Sequence, residues 1–237
     1  SLFKKEIENS ENIVTKSLLE NMLATMYWQY FQQNHYKFYN RTKTESKLSD
    51  DFRTWDLETL FNEIHIYYQK SLENRSLLQQ ESLENYSLLL NEAKESKTYR
   101  PTLFDLLSHN ALEFYKTDEN SITKPAYQFK IDQLEYLSDS EKFIDSKINS
   151  KDSTSLQLNA LKIYQNLLKF HEKDKSSKAF ATVDIERLNF VFQNATIQNK
   201  EVLLLKTLEN KVEELKASPV SALYNFEIAS LYKNQGD

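Results

Sequence analysis

Apolar residues recur along much of this chain at steps of three and four positions, the spacing that places them on one face of an α-helix. The pattern is clear over residues 17–39 and again over residues 54–74, with a polar segment between them. Thr54 is of a residue type that caps helix N-termini, and acidic residues follow it in the first turn. These patterns predict two long helices, the second beginning at a Thr54 cap.

Capping signals predict a further helix over "LFDLLSHNALEFY". Pro101 disfavours helix in the residue before it, Thr102 can cap the helix, and Asp105 stands at the third helical position. Between the second helix and Pro101, the stretch "SLLQQESLENYSLLLNEAKES" predicts one or two short helices.

The last third of the chain has the cleanest helical pattern. In "SLQLNALKIYQNLLKFH" the apolar residues cover about half of the helix circumference, which indicates neighbours on two sides. Three more helices are predicted over residues 183–195, 201–216 and 219–235, joined by short polar links that favour antiparallel neighbours. Residues 121–152 are the least regular and predict a long functional loop or a seam between subdomains.

We therefore expect an all-α fold in which antiparallel helical hairpins stack as an irregular solenoid or bundle. Burial of helices on two sides favours the solenoid. The length suits a single helical domain over residues 1–237, with the seam within 121–152. Because the sequence begins with Ser1 rather than methionine, we expect a fragment of a larger chain, or a mature chain from which a targeting segment was removed.

The last helix has a pattern similar to the first helix of a tetratricopeptide repeat. Asn225, Ile228, Ala229 and Tyr232 stand at the offsets of that repeat, and Gly236 follows where a left-handed C-cap would lead to the second helix. Asparagine in place of tryptophan and alanine in place of glycine depart from the repeat. The alternative is that these residues reflect the close packing found in any helical hairpin.

Composition excludes several classes of protein. The chain has one glycine, three prolines and no cysteine, so glycine-rich phosphate loops, hairpin-rich β folds and disulfides are not expected. Its formal net charge of −5 argues against nucleic acid as a partner. No apolar run approaches the length of about 18 residues that predicts a membrane span.

The titratable residues form no recognisable catalytic or metal-binding motif. The four histidines lack a second ligand at metal-binding spacing, and the 35 carboxylates are scattered among lysines, as on solvated helix faces. We therefore predict no enzyme activity, no catalytic residue, no cofactor and no metal site. A pair of glycosidase-type carboxylates remains as an alternative, because their separation cannot be read from a sequence.

The aromatic stretch "YWQYFQQNHYKFY" offers a candidate binding surface. Exposed rings at Trp28, Tyr36 and Tyr39, with Gln and Asn between them, would suit a sugar or an extended peptide. The alternative is structural, with Tyr27, Tyr30 and Phe31 in the core and Trp28 and Tyr36 packed against the next helix.

Five segments in order carry a resemblance to a known family: "YWQYFQQNHYKFYNRT", "DFRTWDLETLFNEIHIYYQKSL", "YRPTLFDLLSHNALEFYKTDE", "PAYQFKID" and "ALKIYQNLLKFHEKD". Together they resemble the helical region that precedes the β-sandwich domains in large bacterial alpha-2-macroglobulin-like proteins. The resemblance implies an exported protein of the periplasm or cell envelope, whose full length would trap or inhibit proteases. The thioester of some members needs a cysteine, which this chain lacks.

Two hypotheses follow from the sequence. The first is a non-catalytic scaffold and interaction module of such an envelope protein, with the downstream domains of the same chain, proteases or envelope proteins as partners. The second is a free-standing helical repeat protein that binds a peptide or a glycan through the aromatic stretch.

Overall fold

The computed structural model describes residues 2–39, 51–119 and 128–236, with the side chains of residues 39 and 234–236 excluded. These residues form eleven α-helices and no strand, and one isolated β-bridge joins Ser82 to Thr102. The all-α prediction is confirmed, whereas the stacking of hairpins as a solenoid stays a prediction. The helices are α1 Leu2–Asn9, α2 Ile13–Tyr39, α3 Leu57–Ser71, α4 Arg75–Leu78, α5 Ser96–Tyr99, α6 Leu103–Tyr115, α7 Ser140–Asp145, α8 Leu156–His171, α9 Lys178–Asn194, α10 Lys200–Glu214 and α11 Ser221–Gly236.

The chain divides into two compact units. Unit 1 comprises Ser1–Asn85 and Thr102–Ala126, and unit 2 comprises Tyr86–Pro101 and Tyr127–Asp237. The first part of the predicted seam at 121–152 lies outside the described residues. Its later part contains a 3-10 helix over Leu134–Leu137 and the short helix α7. The prediction of one domain with a seam there remains a prediction.

Helix starts follow local hydrogen bonds, not all of which the sequence pattern identified. The Thr102–Asp105 capping box at the start of α6 is confirmed, since the Thr102 side chain accepts from the Asp105 N–H and the Asp105 carboxylate accepts from the Thr102 N–H. The cap of α3 is Asp56, whose Oδ1 accepts from the Thr59 N–H at 2.8 Å. Thr54 instead ends a short 3-10 helix, so the predicted Thr54 cap was wrong.

Two helices begin earlier than predicted because polar residues upstream cap them. Asn12 accepts from the Thr15 N–H at 2.9 Å, and α2 therefore starts at Ile13 rather than at residue 17. Ser177 accepts from the Phe180 N–H at 3.1 Å, and α9 starts at Lys178 rather than at residue 183. Helix α1, over "LFKKEIEN", was not predicted.

The core of unit 1 is aromatic and lies among α2, α3 and α6. Trp28 on α2 contacts Phe61 on α3 and Phe114 on α6, with ring centroids 6.1 and 5.4 Å away. A buried polar cluster accompanies these rings. The Asn21 side chain donates to the Leu107 carbonyl at 3.0 Å and to the Ser71 hydroxyl at 3.2 Å, so one amide joins all three helices.

In unit 2 each of the helices α7 to α11 contacts the next one along the chain, most extensively α8 with α9 and α10 with α11. A buried charge lies at its centre. Arg187 on α9 donates to the carbonyls of Tyr136 and Ser138 at 2.9 and 2.8 Å and is paired with Asp184. The Tyr224 hydroxyl of α11 donates to the same Asp184 at 3.1 Å. This network joins α9 to the 3-10 helix and Ser138 before α7, and it joins α9 to α11.

Residues other than glycine adopt the left-handed backbone conformation in this chain. Glu95 and Asn199 have the positive φ values of 64° and 53° that glycine usually supplies, each directly before a helix. Gly236 is the last residue of α11, and no described glycine has a positive φ. The predicted left-handed C-cap at Gly236 was therefore wrong, because the glycine continues the helix.

Candidate functional site

The aromatic residues predicted to form a binding surface lie in different environments. Trp28 is 6% exposed and stacks on Phe31 with centroids 5.4 Å apart. Tyr36 is 59% exposed, and the side chain of Tyr39 lies outside the described part of the chain. The structure thus places Trp28 in the core and Tyr36 on the surface, and does not bring the two rings onto one face.

A kink in α2 at Asn34 explains this separation. Its φ and ψ of −129° and 15° are non-helical, and its side chain donates to the Tyr30 carbonyl at 3.0 Å. Beyond the kink, Phe38 is buried against Tyr30 and Phe31. Tyr36 points outward, with the Lys37 ammonium 5.6 Å from its ring centroid.

A groove with a cavity volume of about 370 Å³ lies in unit 1, between α1, the first turns of α2 and the end of α3. We call it the N-terminal groove. Helices α1, α2 and α3 contribute residues at steps of three or four, and Glu73 and Asn74 from the turn after α3 complete the lining. The lining residues are Lys4, Ile7, Glu8, Ile13, Lys16, Ser17, Glu20, Tyr67, Lys70, Glu73 and Asn74.

Lys4 is the strongly held cation of this groove. Its Nζ lies 3.2 Å from a Glu63 oxygen and 5.6 Å from the ring centroids of both Trp55 and Tyr67. Burial by itself lowers the pKa of Lys4, but attraction from Tyr27, Glu63 and Tyr67 outweighs it and raises that pKa to about 12. The positive charge of Lys4 is therefore already paired with Glu63 within the protein.

Glu20 is the buried carboxylate of the groove. It is 6% exposed and makes no hydrogen bond or ion pair within 4 Å with any described residue. Burial raises the pKa of Glu20, Lys16 and Lys70 oppose that rise through their charge, and Glu73 adds to it. Lys16, Lys70 and Glu73 are exposed at the rim. The groove thus combines a largely buried glutamate, whose carboxylate oxygens still reach solvent, with a mixed charged rim.

No histidine lines this groove among the described residues. His65 Nδ1 is 2.9 Å from the Tyr115 hydroxyl, to which Gln69 also donates at 2.9 Å, and burial lowers the pKa of His65. His109 is buried beside the Asp105 carbonyl at 2.7 Å. Among the described residues, no group of three or more potential ligands is placed to hold a metal ion.

A second exposed feature lies on α11 in unit 2. We call it the α11 face; its members recur at helical steps and are Ala222, Asn225, Phe226, Ala229 and Tyr232, all exposed. Phe226 and Tyr232 are the large members, 69% and 53% exposed. On the other side of the same helix Tyr224 and Leu231 are buried.

Sequence reasoning predicted neither feature as a site. The Lys16–Glu20 pair has the i, i+4 spacing typical of a solvated helix face, and α1, which closes one side of the groove, was not predicted. In the α11 face, the sequence pattern pointed to Asn225, Ala229 and Tyr232 only through their repeat offsets.

None of the described helices is long and apolar enough to cross a bilayer. Comparisons of the chain with protein-family models, with curated proteins and with solved structures found no match. The resemblance to alpha-2-macroglobulin-like proteins therefore stays a prediction from the sequence.

Proposed function

We propose that this chain is a non-catalytic helical scaffold, part of the helical region of an alpha-2-macroglobulin-like protein of the cell envelope. In this proposal α11 packs against a further helix of the same array, and the array positions the domains that follow. The observation that carries the proposal is the α11 face, on which Phe226 and Tyr232 are exposed on the side of the helix away from the buried Tyr224 and Leu231.

Helix α11 carries large apolar residues on two sides, and Asn225 and Lys233 share the exposed side with them. Tyr224 and Leu231 are buried within unit 2, while Phe226 and Tyr232 are exposed on another side. A helix inside a stacked array contacts neighbours on two sides, whereas a helix at the surface of a monomeric domain usually has one apolar stripe. The composition of α11 fits the first arrangement.

The shape of the α11 face favours a helix as its occupant. From Ala222 to Tyr232 it runs along the axis for about 15 Å, at about 1.5 Å per residue. Ala222 and Ala229 alternate with Phe226 and Tyr232, which provides both the close approach and the protruding side chains of ridges-into-grooves packing. A packed helix would bury most of this apolar surface.

The proposal assigns no chemistry to this chain. Any trapping or inhibition of a protease would depend on other parts of the full protein, and this region would hold them in position or dock an envelope partner. Export to the periplasm or cell envelope belongs to the same proposal.

Paired stability measurements test the proposal. The double substitution Phe226→Ser with Tyr232→Ser should change the unfolding free energy of the 237-residue chain by less than about 0.5 kcal/mol, because both residues are exposed. In a chain lengthened by the residues its reading frame encodes after Asp237, the same change should cost about 2 kcal/mol or more. Urea unfolding followed by circular dichroism measures both values.

Val202→Ser is the matched control, since Val202 is an exposed apolar residue of α10 outside the α11 face. It should have a small effect in both proteins. A stop codon directly after Asp237, or equal effects of the double substitution in the two proteins, overturns the proposal.

A free-standing peptide- or glycan-binding protein is the second candidate, and the exposed Tyr36 ring favours it. Trp28 is unable to contribute to such a surface in this structure, because it is packed between Phe61 and Phe114. The second candidate therefore depends on Tyr36.

A further inference from the structure

The N-terminal groove contains a carboxylate whose charge no described side chain neutralises directly. Glu20 is 6% exposed, yet no described donor lies within hydrogen-bond or ion-pair distance. Buried carboxylates in proteins are normally paired or hydrogen-bonded, because an unmatched buried charge is costly. Glu20 lines the groove, so a molecule in the groove can reach it.

The side chains that line the groove have a net negative charge that one cation would neutralise. Three lysines and three glutamates line it, and Lys4 is already paired with Glu63. Without Lys4, the lining has the two lysines Lys16 and Lys70 against the three glutamates Glu8, Glu20 and Glu73, a net charge of −1. A ligand with one positive charge would neutralise this lining.

The remaining lining suits an aliphatic stem. Ile7 and Ile13 supply apolar walls, whereas the Tyr67 ring already has the ammonium groups of Lys4 and Lys70 within 5.6 and 5.7 Å of its centroid. The cation of a ligand is therefore assigned to Glu20 alone. The volume of about 370 Å³ is within the range of small-molecule sites. A divalent metal ion fits less well, because it needs several ligands at once and no such group is present among the described residues.

We propose that the N-terminal groove binds an organic ammonium group on an aliphatic stem, with Glu20 as its counterion. The end of a lysine side chain has this chemistry, and so does a small free amine. The proposal is independent of the scaffold function, because it rests on unit 1 and not on the α11 face.

A titration with n-butylammonium chloride tests the proposal directly. Amide resonances of residues that line the groove should shift in a saturable manner, while sodium chloride at equal ionic strength should not shift them. Glu20→Gln keeps the shape of the side chain and removes its charge. It should weaken n-butylammonium binding by about tenfold or more, since a hydrogen bond to a charged group contributes at least that factor.

Glu6→Gln is the matched control, because Glu6 lies on α1 but is exposed and does not line the groove. It should change the affinity by less than about twofold, in keeping with a screened surface charge. The peptides acetyl-Gly-Lys-Gly-amide and acetyl-Gly-norleucine-Gly-amide distinguish the two sources of the amine. Tighter binding of the lysine peptide than of n-butylammonium indicates a protein segment, and the reverse indicates a free amine.

The proposal is overturned if neither n-butylammonium nor the lysine peptide binds saturably. It is also overturned if Glu20→Gln binds them as well as the parent does, or if the norleucine peptide binds as tightly as the lysine peptide. Each of these results would leave the scaffold function untouched, because none involves α11.

Discussion

Glu20 shows how far a single residue can depart from what its sequence neighbours suggest. Lys16 and Glu20 are four positions apart, and such pairs usually lie on solvated helix faces. In the folded chain α1 and the end of α3 approach this part of α2, so Glu20 is buried while Lys16 stays exposed. Burial of this residue depends on contacts between helices distant in sequence.

Glu20→Gln should stabilise the protein increasingly as the pH rises. The charged groups facing Glu20 are Lys16 from its own helix, Lys70 from α3, Glu73 from the turn after α3, and Lys4 and Glu8 across the groove from α1. Because burial raises the folded-state pKa of Glu20 above 4.5, its contribution to stability is present below about pH 4.5 and is lost as the pH rises through the folded-state pKa.

The glutamine variant lacks this titration, so its unfolding free energy should exceed that of the parent by about 1 kcal/mol at pH 7 and by less at pH 4. Urea unfolding at a series of pH values measures the difference. A difference that stays constant between pH 4 and pH 7 would contradict the assignment.

Glu95→Gly should stabilise the protein by about 0.5 to 1 kcal/mol. The φ of 64° at Glu95 is unfavourable for a residue with a Cβ and costs glycine little. The Glu95–Lys178 ion pair lost in the variant is exposed and contributes little. Asn199→Gly is the control, because asparagine tolerates a φ of 53° and the gain should be a few tenths of a kcal/mol. Equal effects of the two substitutions in thermal unfolding would refute the strain at Glu95.

At the scale of helices, sequence signals predicted most elements and some of their ends. The capping box of α6 is local, since Thr102 and Asp105 are three residues apart and bond to each other's backbone. Helix α3 starts later than predicted because Asp56 rather than Thr54 caps it. Thr54 is instead the last residue of a short 3-10 helix. Competing caps differ by a few tenths of a kcal/mol, and packing of the flanking residues decides between them.

Arg187 links α9 to two neighbouring parts of unit 2. Its guanidinium is fully buried, lies 4.9 Å from the centroid of the Phe143 ring, and supplies hydrogen bonds to two carbonyls of the segment before α7. Tyr224 of α11 shares the Asp184 partner, and its burial beside that carboxylate raises the pKa of Tyr224 well above its usual range. One charged pair thus connects three parts of unit 2.

Arg187→Met should lower the unfolding free energy by about 3 to 5 kcal/mol, because it leaves Asp184 buried without its counterion and two carbonyls without donors. The exposed Arg75 provides the control, and Arg75→Met should cost less than about 0.5 kcal/mol. Urea unfolding measures both. Adding Asp184→Asn to Arg187→Met should recover part of the loss, and strict additivity of the two changes would contradict a coupled pair.

At the scale of the whole molecule, the all-α class followed from the sequence. One glycine and a helical period over most of the chain leave few alternatives to helices. The candidate sites were less accessible to prediction. Trp28 and Tyr36 belong to one aromatic stretch, yet the kink at Asn34 and the rings of α3 and α6 place one inside and the other outside.

The two candidate sites also differ in how far they can be predicted from the sequence. The α11 face lies on one helix, so its helical spacing is present in the sequence, although the exposed side becomes known only when α10 and α9 cover the other. The N-terminal groove draws residues from three helices, and its distinguishing feature is the burial of Glu20. No local pattern encodes that burial.

The sequence by itself determined most of the helices, because helical period, capping residues and the lack of glycine act over a few neighbouring positions. It also determined that nucleotide loops and disulfides are absent. Only the tertiary structure decided which charged and aromatic side chains are buried, as for Glu20, Arg187 and Trp28. Burial is a property of contacts between residues far apart in the chain, and the energy of a charge or a ring depends mainly on those contacts.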